Sequence, residues 1–408
     1  MTSGLKTQYP WLMLASIYIT QYIGVAFIAS AAVAILRKQG IDLDKLALLN
    51  LAALPLLGKV FYAPLIDKYS PYFQGQYRGW LILAQASMTL LLLVTGFLDL
   101  QLEFAWIMTC LTLYVLCMSV QDVSVDGLSC KLFDEKSRKF ASSVQFSGNL
   151  LGNIIGGGVI LMLYPWLQWH GALWLLAALT AISLFQILLF SEPKRVIAQS
   201  ENQPLLRHMA AFIKQHRRWF FIMAIYPIGS TCGFALLNPL LVDNGWALDD
   251  IGFATKIFGS LVGLLSAFLA TPLIAKVGRT NALITVLVIQ SIALLLIIPV
   301  SLGYTDKLMV YSAITVHFIS FPALLVVTAT IIMDKAADTY HKATFFTLQF
   351  SFASVLGFTY SAVSLALAKH LGYSLVVIAG TVLAFVIAIL VWFLLKPAKD
   401  PLLTIQAT

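Results

Sequence analysis

The chain has 408 residues, 60% of them hydrophobic and 11% charged, whereas a soluble globular chain carries about 25% charged and 45–50% apolar residues. That composition excludes a water-soluble protein, and a bilayer-spanning helix needs about 20 mostly apolar residues, so twelve of them fit the length. The net charge of +8 is scattered through short loops between apolar runs, where membrane topology accounts for it and nucleic acid is not an expected partner.

Taken in chain order, apolar runs punctuated by Gly, Pro and charge predict spans near 11–36, 45–65, 79–98, 104–129, 140–165 and 171–190. Six more follow near 219–242, 250–274, 281–302, 308–332, 344–368 and 374–395. The runs are too long and continuous for the alternating strands of a membrane barrel, and the first reads as a retained helix and not as a cleaved signal. The longest polar stretch, Ser191 to Arg218, divides six spans from six. The expected organisation is an N-terminal half (1–190), a cytoplasmic linker (191–218) and a C-terminal half (219–408). Apolar and basic residues at helical spacing from Leu205 to Arg218 predict a short amphipathic helix on the inner membrane surface.

With the N-terminus inside, nineteen of the Lys and Arg residues fall on the cytoplasmic side. Only Arg37, Lys38, Lys45, Lys307 and Lys369 fall outside, a positive-inside pattern with both termini cytoplasmic. Trp11, Trp80, Trp106, Trp166, Trp169, Trp219, Trp246 and Trp392 lie near span ends, where interfacial aromatics belong. Cys110, Cys117, Cys130 and Cys232 lack metal-ligand spacing and read as buried small residues inside helices. No metal or cofactor is expected.

The halves repeat. Leu43-Asp44-Lys45-Leu46 matches Leu248-Asp249-Asp250-Ile251, and Ser143-Val144-Gln145-Phe146-Ser147 matches Thr347-Leu348-Gln349-Phe350-Ser351 at nearly the same offset. An even number of spans per unit makes the repeat parallel, which resembles the relation between the halves of major facilitator transporters. The fold class is therefore all-α membrane protein, twelve helices in two parallel six-helix repeats with a substrate cavity expected between them.

No Walker A, GxSxG or HExxH motif is present, so the expected class is a transporter and not an enzyme. Ionisable groups at membrane depth are costly and mark cavities or partners. Lys59 lies about 12 Å inside the second span. Asp122 and Asp126, four apart in the fourth span, share one helix face. Lys59 could neutralise one aspartate and leave the other to titrate, or the group could be a fixed ion pair at an inner gate. His317 sits near mid-membrane in the tenth span, either as a switch or ligand donor or as a packed histidine. Lys256 reads as a cavity cation or as a side chain snorkelling to the surface. Gln145, Asn149 and Asn153 form a polar stripe at four-residue steps, with Gln349 at the position matching Gln145. Such a stripe suits a cavity lining or interhelical hydrogen bonds. Asn238-Pro239, after Pro227, Gly229 and Gly233, marks a helix expected to break beside a binding site.

Asp67-Lys68-Tyr69 with Gly75-Gln76-Tyr77-Arg78-Gly79 resembles a degenerate form of the major facilitator loop signature. Gly58 to Lys68 and Gln121-Asp122-Val123-Ser124-Val125-Asp126-Gly127-Leu128 resemble a branch containing muropeptide permeases, acetyl-CoA transporters and the RhtX/FptX siderophore importers of Gram-negative inner membranes. Asp126-Gly127-Leu128 and Thr344-Phe345-Phe346-Thr347-Leu348-Gln349 are similar to the siderophore importers. Two departures stand out: Asn149 and Leu150 occupy positions where that branch carries Tyr and Arg, and Phe345 replaces an acid.

The resemblance implies a proton-coupled, monomeric inner-membrane importer of a siderophore or ferric siderophore working by alternating access. A muropeptide permease, or a small-molecule exporter, is the alternative. The expected coupling pair is Lys59 and Asp122. Gln21, Gln145, Asn149, Asn238, Lys256, His317 and Gln349 are the expected cavity residues, and Asp67, Arg78 and Asp126 the gate.

Overall fold

The computed structural model describes residues 9–32, 35–36, 54–71, 75–100, 102–193 and 205–395, and these are overwhelmingly helical. Lys6, Arg37, Lys38, Lys45, Lys194, Arg195, Lys396 and Lys399, and the repeat patch 43–46, lie outside the described residues. The first half supplies α1 (Tyr9–Ala26), α2 (Lys59–Lys68), α3 (Arg78–Phe97), α4 (Phe104–Leu132), α5 (Glu135–Asn153) and α6 (Ile160–Leu189). Next comes α7 (Leu205–Gln215). Then come α8 (Arg217–Thr231), α9 (Phe234–Asp243), α10 (Gly259–Ser301), α11 (Lys307–Ala337), α12 (Lys342–Leu371) and α13 (Tyr373–Leu395).

Eight described helical runs are long and apolar enough to cross a bilayer. The run 135–189 reverses at Gln168 and the run 250–301 at Gly278, both with positive φ, so each carries two of the expected spans. The remaining two expected spans correspond to α1, with the π turn Phe27–Ala32 that follows it, and to the stretch ending in α2. A twelve-helix all-α membrane fold accounts for all of them.

Large apolar side chains cover the outside of the spans. Phe97 is 71% exposed and Leu265 68% exposed, an arrangement that is stable only where the surrounding solvent is hydrocarbon.

The chain forms two compact units, residues 1–199 with 333–348 and residues 200–332 with 349–408. In the first unit α1 packs along α5, α3 against α4 and α6, and α2 against α4. Phe27, Met88, Tyr114, Met118 and Trp169 are among the residues that fill its core. Gly148, Gly152 and Gly156 line one face of the fifth span. A Cβ on Gly156 would stand 2.1 Å from the Ile23 carbonyl oxygen, so only hydrogen fits where the two backbones touch. The π turns Phe27–Ala32 and Ile154–Val159 meet just beyond this contact.

In the second unit α13 packs on α8 and α10. The break expected near Asn238-Pro239 lies at Cys232 and Gly233, between α8 and α9. Position 233 accepts only glycine, because Leu294 occupies the space a Cβ there would need. Cys232 lies at a helix break, and it is half-buried, like Cys110 and Cys117 within α4, which corrects the expectation of four buried helical cysteines. Trp169 and Trp219, beside the reversal at Gln168 and at the start of α8, are buried against the protein.

Candidate functional site

The inner half of α4 is a polar segment inside an apolar helix, with Ser119, Gln121, Asp122, Ser124, Asp126 and Ser129 all buried. A carboxylate there requires partners, and the neighbouring helices provide them. Lys59 on α2 places Nζ 2.7 Å from Asp122 Oδ2, and Gln21 on α1 donates Nε2 to Asp122 Oδ1 at 2.6 Å. The paired side chains of Lys59 and Asp122 are 9% and 8% exposed.

One turn further along α4, Asp126 has neutral donors instead. Tyr18 Oη donates to Asp126 Oδ1 at 2.8 Å and Gln145 Nε2 donates to the same oxygen at 3.2 Å. Tyr18 and Gln21 are three residues apart on α1, Asp122 and Asp126 four apart on α4, so two helix faces meet with their polar rows in register. Tyr22 reaches Asn149, and Asn153 donates from Nδ2 to Asn149 Oδ1 at 2.9 Å. The polar row thus continues outward to Asn153, which is exposed. The Oε1 atoms of Gln21, Gln121 and Gln145 are buried and find no donor among the described residues.

At the end of α2, Asp67 is wholly buried and accepts four hydrogen bonds. Two come from Tyr77 Oη at 2.6 Å and the Thr344 hydroxyl at 2.6 Å. The others come from the backbone N–H groups of Thr344 at 2.7 Å and Ala343 at 3.2 Å. Those N–H groups belong to the first turn of α12 and have no acceptor within their own helix. A carboxylate placed there also meets the positive end of the helix dipole. Arg138 on α5 pairs with Asp334 at 3.1 Å within the same unit.

The sequence of this chain matches the Major Facilitator Superfamily over residues 14–358. The chain belongs to that superfamily. It is 25% identical over 258 residues to the anhydromuropeptide permease of Escherichia coli (strain K12), which is 62% of this chain and 52% of that protein. The chain thus spans about half the length of that permease. It is 23% identical over 359 residues to putative transporter AmpG 3 of Rickettsia typhi, covering 83% of this chain and 84% of that one. The crystal structure of the human organic anion transporter MFSD10 (TETRAN) superposes with TM-score 0.69 at 12% identity, over 94% of this chain and 99% of that one, a likeness of fold. This chain is thus a multi-pass member of the Major Facilitator Superfamily.

Of the other residues singled out in this superfamily member, several take up structural bonds. Gln145 and Gln349 are buried in interhelical hydrogen bonds instead of lining an open face, because an amide inside an apolar helix bonds across to a neighbour. Gln349 accepts from Trp219 Nε1 at 2.9 Å. His317 is 2% exposed, stacked on Phe234 with ring centroids 3.7 Å apart, and 3.3 Å from Gln290 Nε2. Its position is that of a packed histidine. Asn238 and Lys256 are exposed on α9 and on the π turn Phe253–Phe258. Arg78 donates to the carbonyls of Ile187 and Leu188 at the end of α6, capping that helix.

Tyr18, Tyr77 and Thr344 hold the two acidic sites and were not expected to. A tyrosine in an apolar span carries no sequence mark distinguishing it from interfacial aromatics. Glu192 was also missed: it accepts from the Tyr77 and Arg78 N–H groups that begin α3 and from Lys131 Nζ at 2.6 Å. Its signal was present, as an acid at the start of the polar stretch that follows α6.

Proposed function

We propose that the chain is a proton-coupled permease that carries a muropeptide-class fragment of peptidoglycan inward across a bacterial inner membrane. The observation that carries this reading is the similarity to the anhydromuropeptide permease and to several AmpG transporters. They favour it over the siderophore importer suggested by Asp126-Gly127-Leu128 and the 344–349 segment. Both termini lie in the cytoplasm, and the working unit is a monomer.

The two aspartates divide the labour. Asp122 is neutralised by Lys59 at contact distance, so that pair fixes α2 to α4 and holds the field of the site. Asp126 is bonded by neutral donors, Tyr18 and Gln145, and is the carboxyl that binds and releases the transported proton. The Gln145 amide can serve both states. Its Nε2 donates to the carboxylate, and after a half-turn its otherwise unpartnered Oε1 accepts from the protonated acid. Asp67 acts as a latch whose bonds to the first turn of α12 break and re-form during alternating access.

The test is uptake of a radiolabelled anhydromuropeptide into proteoliposomes under an imposed pH gradient, acid outside. Wild-type protein is expected to accumulate the label, and a ferric siderophore in excess is expected not to compete. Asp126→Asn should abolish gradient-driven accumulation while substrate exchange across the vesicle membrane, which needs no net proton movement, persists. Competition by the siderophore would overturn the substrate, and gradient-driven accumulation by Asp126→Asn would overturn the proton site.

A further inference from the structure

The linker helix α7 carries an arrangement that neither membrane spanning nor transport uses. Viewed down its axis, Leu205, Met209 and Phe212 turn inward. Phe212 is buried and packs edge-on against Phe220 of α8, ring centroids 6.2 Å apart, and against His216 between the helices. This contact pins α7 to the start of a membrane span.

The other face is open. Leu206, Ala210 and Ile213 follow at intervals of four and three residues and make one exposed apolar stripe, with Leu206 78% and Ile213 40% exposed. At 100° per residue, Arg207 and Lys214 fall together along one edge of that stripe, both exposed. No acidic residue occurs from Leu205 to Arg218. An apolar stripe bordered by cations is unstable against water alone and is matched by a surface whose interior is hydrocarbon and whose rim is anionic.

We infer that α7 is an anionic-phospholipid binding element: Leu206, Ala210 and Ile213 enter the acyl boundary while Arg207 and Lys214 engage headgroup phosphates. Two observations select lipid over a protein partner. The helix runs directly into α8, at the level where a span begins, so its stripe is already at the bilayer boundary. The charge is of one sign only, and the cytoplasmic leaflet is negative. A second copy of this chain would bring the same cations face to face. The inference does not depend on which substrate is carried.

The experiment uses the full chain in vesicles of phosphatidylethanolamine and phosphatidylglycerol, with a photoreactive benzoylphenylalanine at position 206, at position 213 or, as a bilayer control, at the exposed Leu265 of α10. After irradiation, adducts are identified by mass spectrometry. Phospholipid adducts are expected at all three positions, with phosphatidylglycerol enriched at 206 and 213 by about fivefold over Leu265, the preference one surface charge confers. Neutralising R207Q/K214Q should reduce the enrichment to the value at Leu265, and the charge-retaining R207K should keep it, which separates charge from mere integrity of the helix. Absence of lipid adducts at 206 and 213, adducts to protein instead, or phosphatidylglycerol at the control ratio would each overturn the inference.

Discussion

Replacing Lys59 with Met removes one partner of a buried ion pair and keeps the other. At 2.7 Å, with an effective dielectric of about 20, the attraction is about 6 kcal/mol, but withdrawing each ion from water costs several kcal/mol. The pair therefore adds little net stability, whereas breaking it leaves the Asp122 carboxylate with only Gln21 as a described hydrogen-bond donor. The expected loss for Lys59→Met is about 3–5 kcal/mol. Asp122→Asn, which takes the carboxylate from the ammonium instead, should cost a similar amount. The double variant removes both charges and should lose only about 1–2 kcal/mol, so the coupling energy, the summed single losses less that of the double variant, should be about 4–9 kcal/mol. The assay is denaturant unfolding of detergent-solubilised protein followed by tryptophan fluorescence for all four members of the cycle. If the double variant loses the sum of the two single losses, the two groups do not stabilise one another and the assignment of a neutralised Asp122 fails.

Three further predictions rest on particular contacts. Gly156→Ala places a methyl against the Ile23 carbonyl, where neither backbone can yield, and should cost about 1–3 kcal/mol. Gly158→Ala, with nothing within 4 Å of the new Cβ, should stay within about 0.5 kcal/mol in the same unfolding assay. Asp67→Ala removes a buried charged acceptor from the first turn of α12. Hydrogen exchange at residues 343–344 should quicken about thirtyfold, corresponding to about 2 kcal/mol, and unchanged exchange would show that the latch does not hold that turn. Asp134 caps α5 by accepting from the Ser137 N–H at 3.0 Å, and those hydrogen bonds hold its carboxyl below the usual range. Asp134→Ala should cost about 1 kcal/mol at neutral pH. Because the folded-state value is the lower one, the cap's contribution is present above the ordinary aspartate range and fades as pH falls through the lowered value. The gap between variant and wild type should therefore shrink in acid.

The helices were legible because each span is a long apolar run and the bilayer tolerates little else. So were the amphipathic helix in the polar stretch and the suspicion attached to Lys59, Asp122 and Asp126, since charge at membrane depth stands out against an apolar background. Asp122 and Asp126 could be placed on one face by the helical period alone. Which of them Lys59 neutralises depends on the rotation of α2 against α4, and that is set by the packing of three helices far apart in the chain. The same holds for Tyr18 with Asp126 and for Asp67 with Thr344, residues separated by 108 and 277 positions. His317 and the two glutamines show the converse: a polar residue in an apolar span signals only that a partner is needed. Local pattern fixes the helical period and hence which residues share a face, while contacts across helices depend on rotation and register, which only the close packing of the whole unit selects.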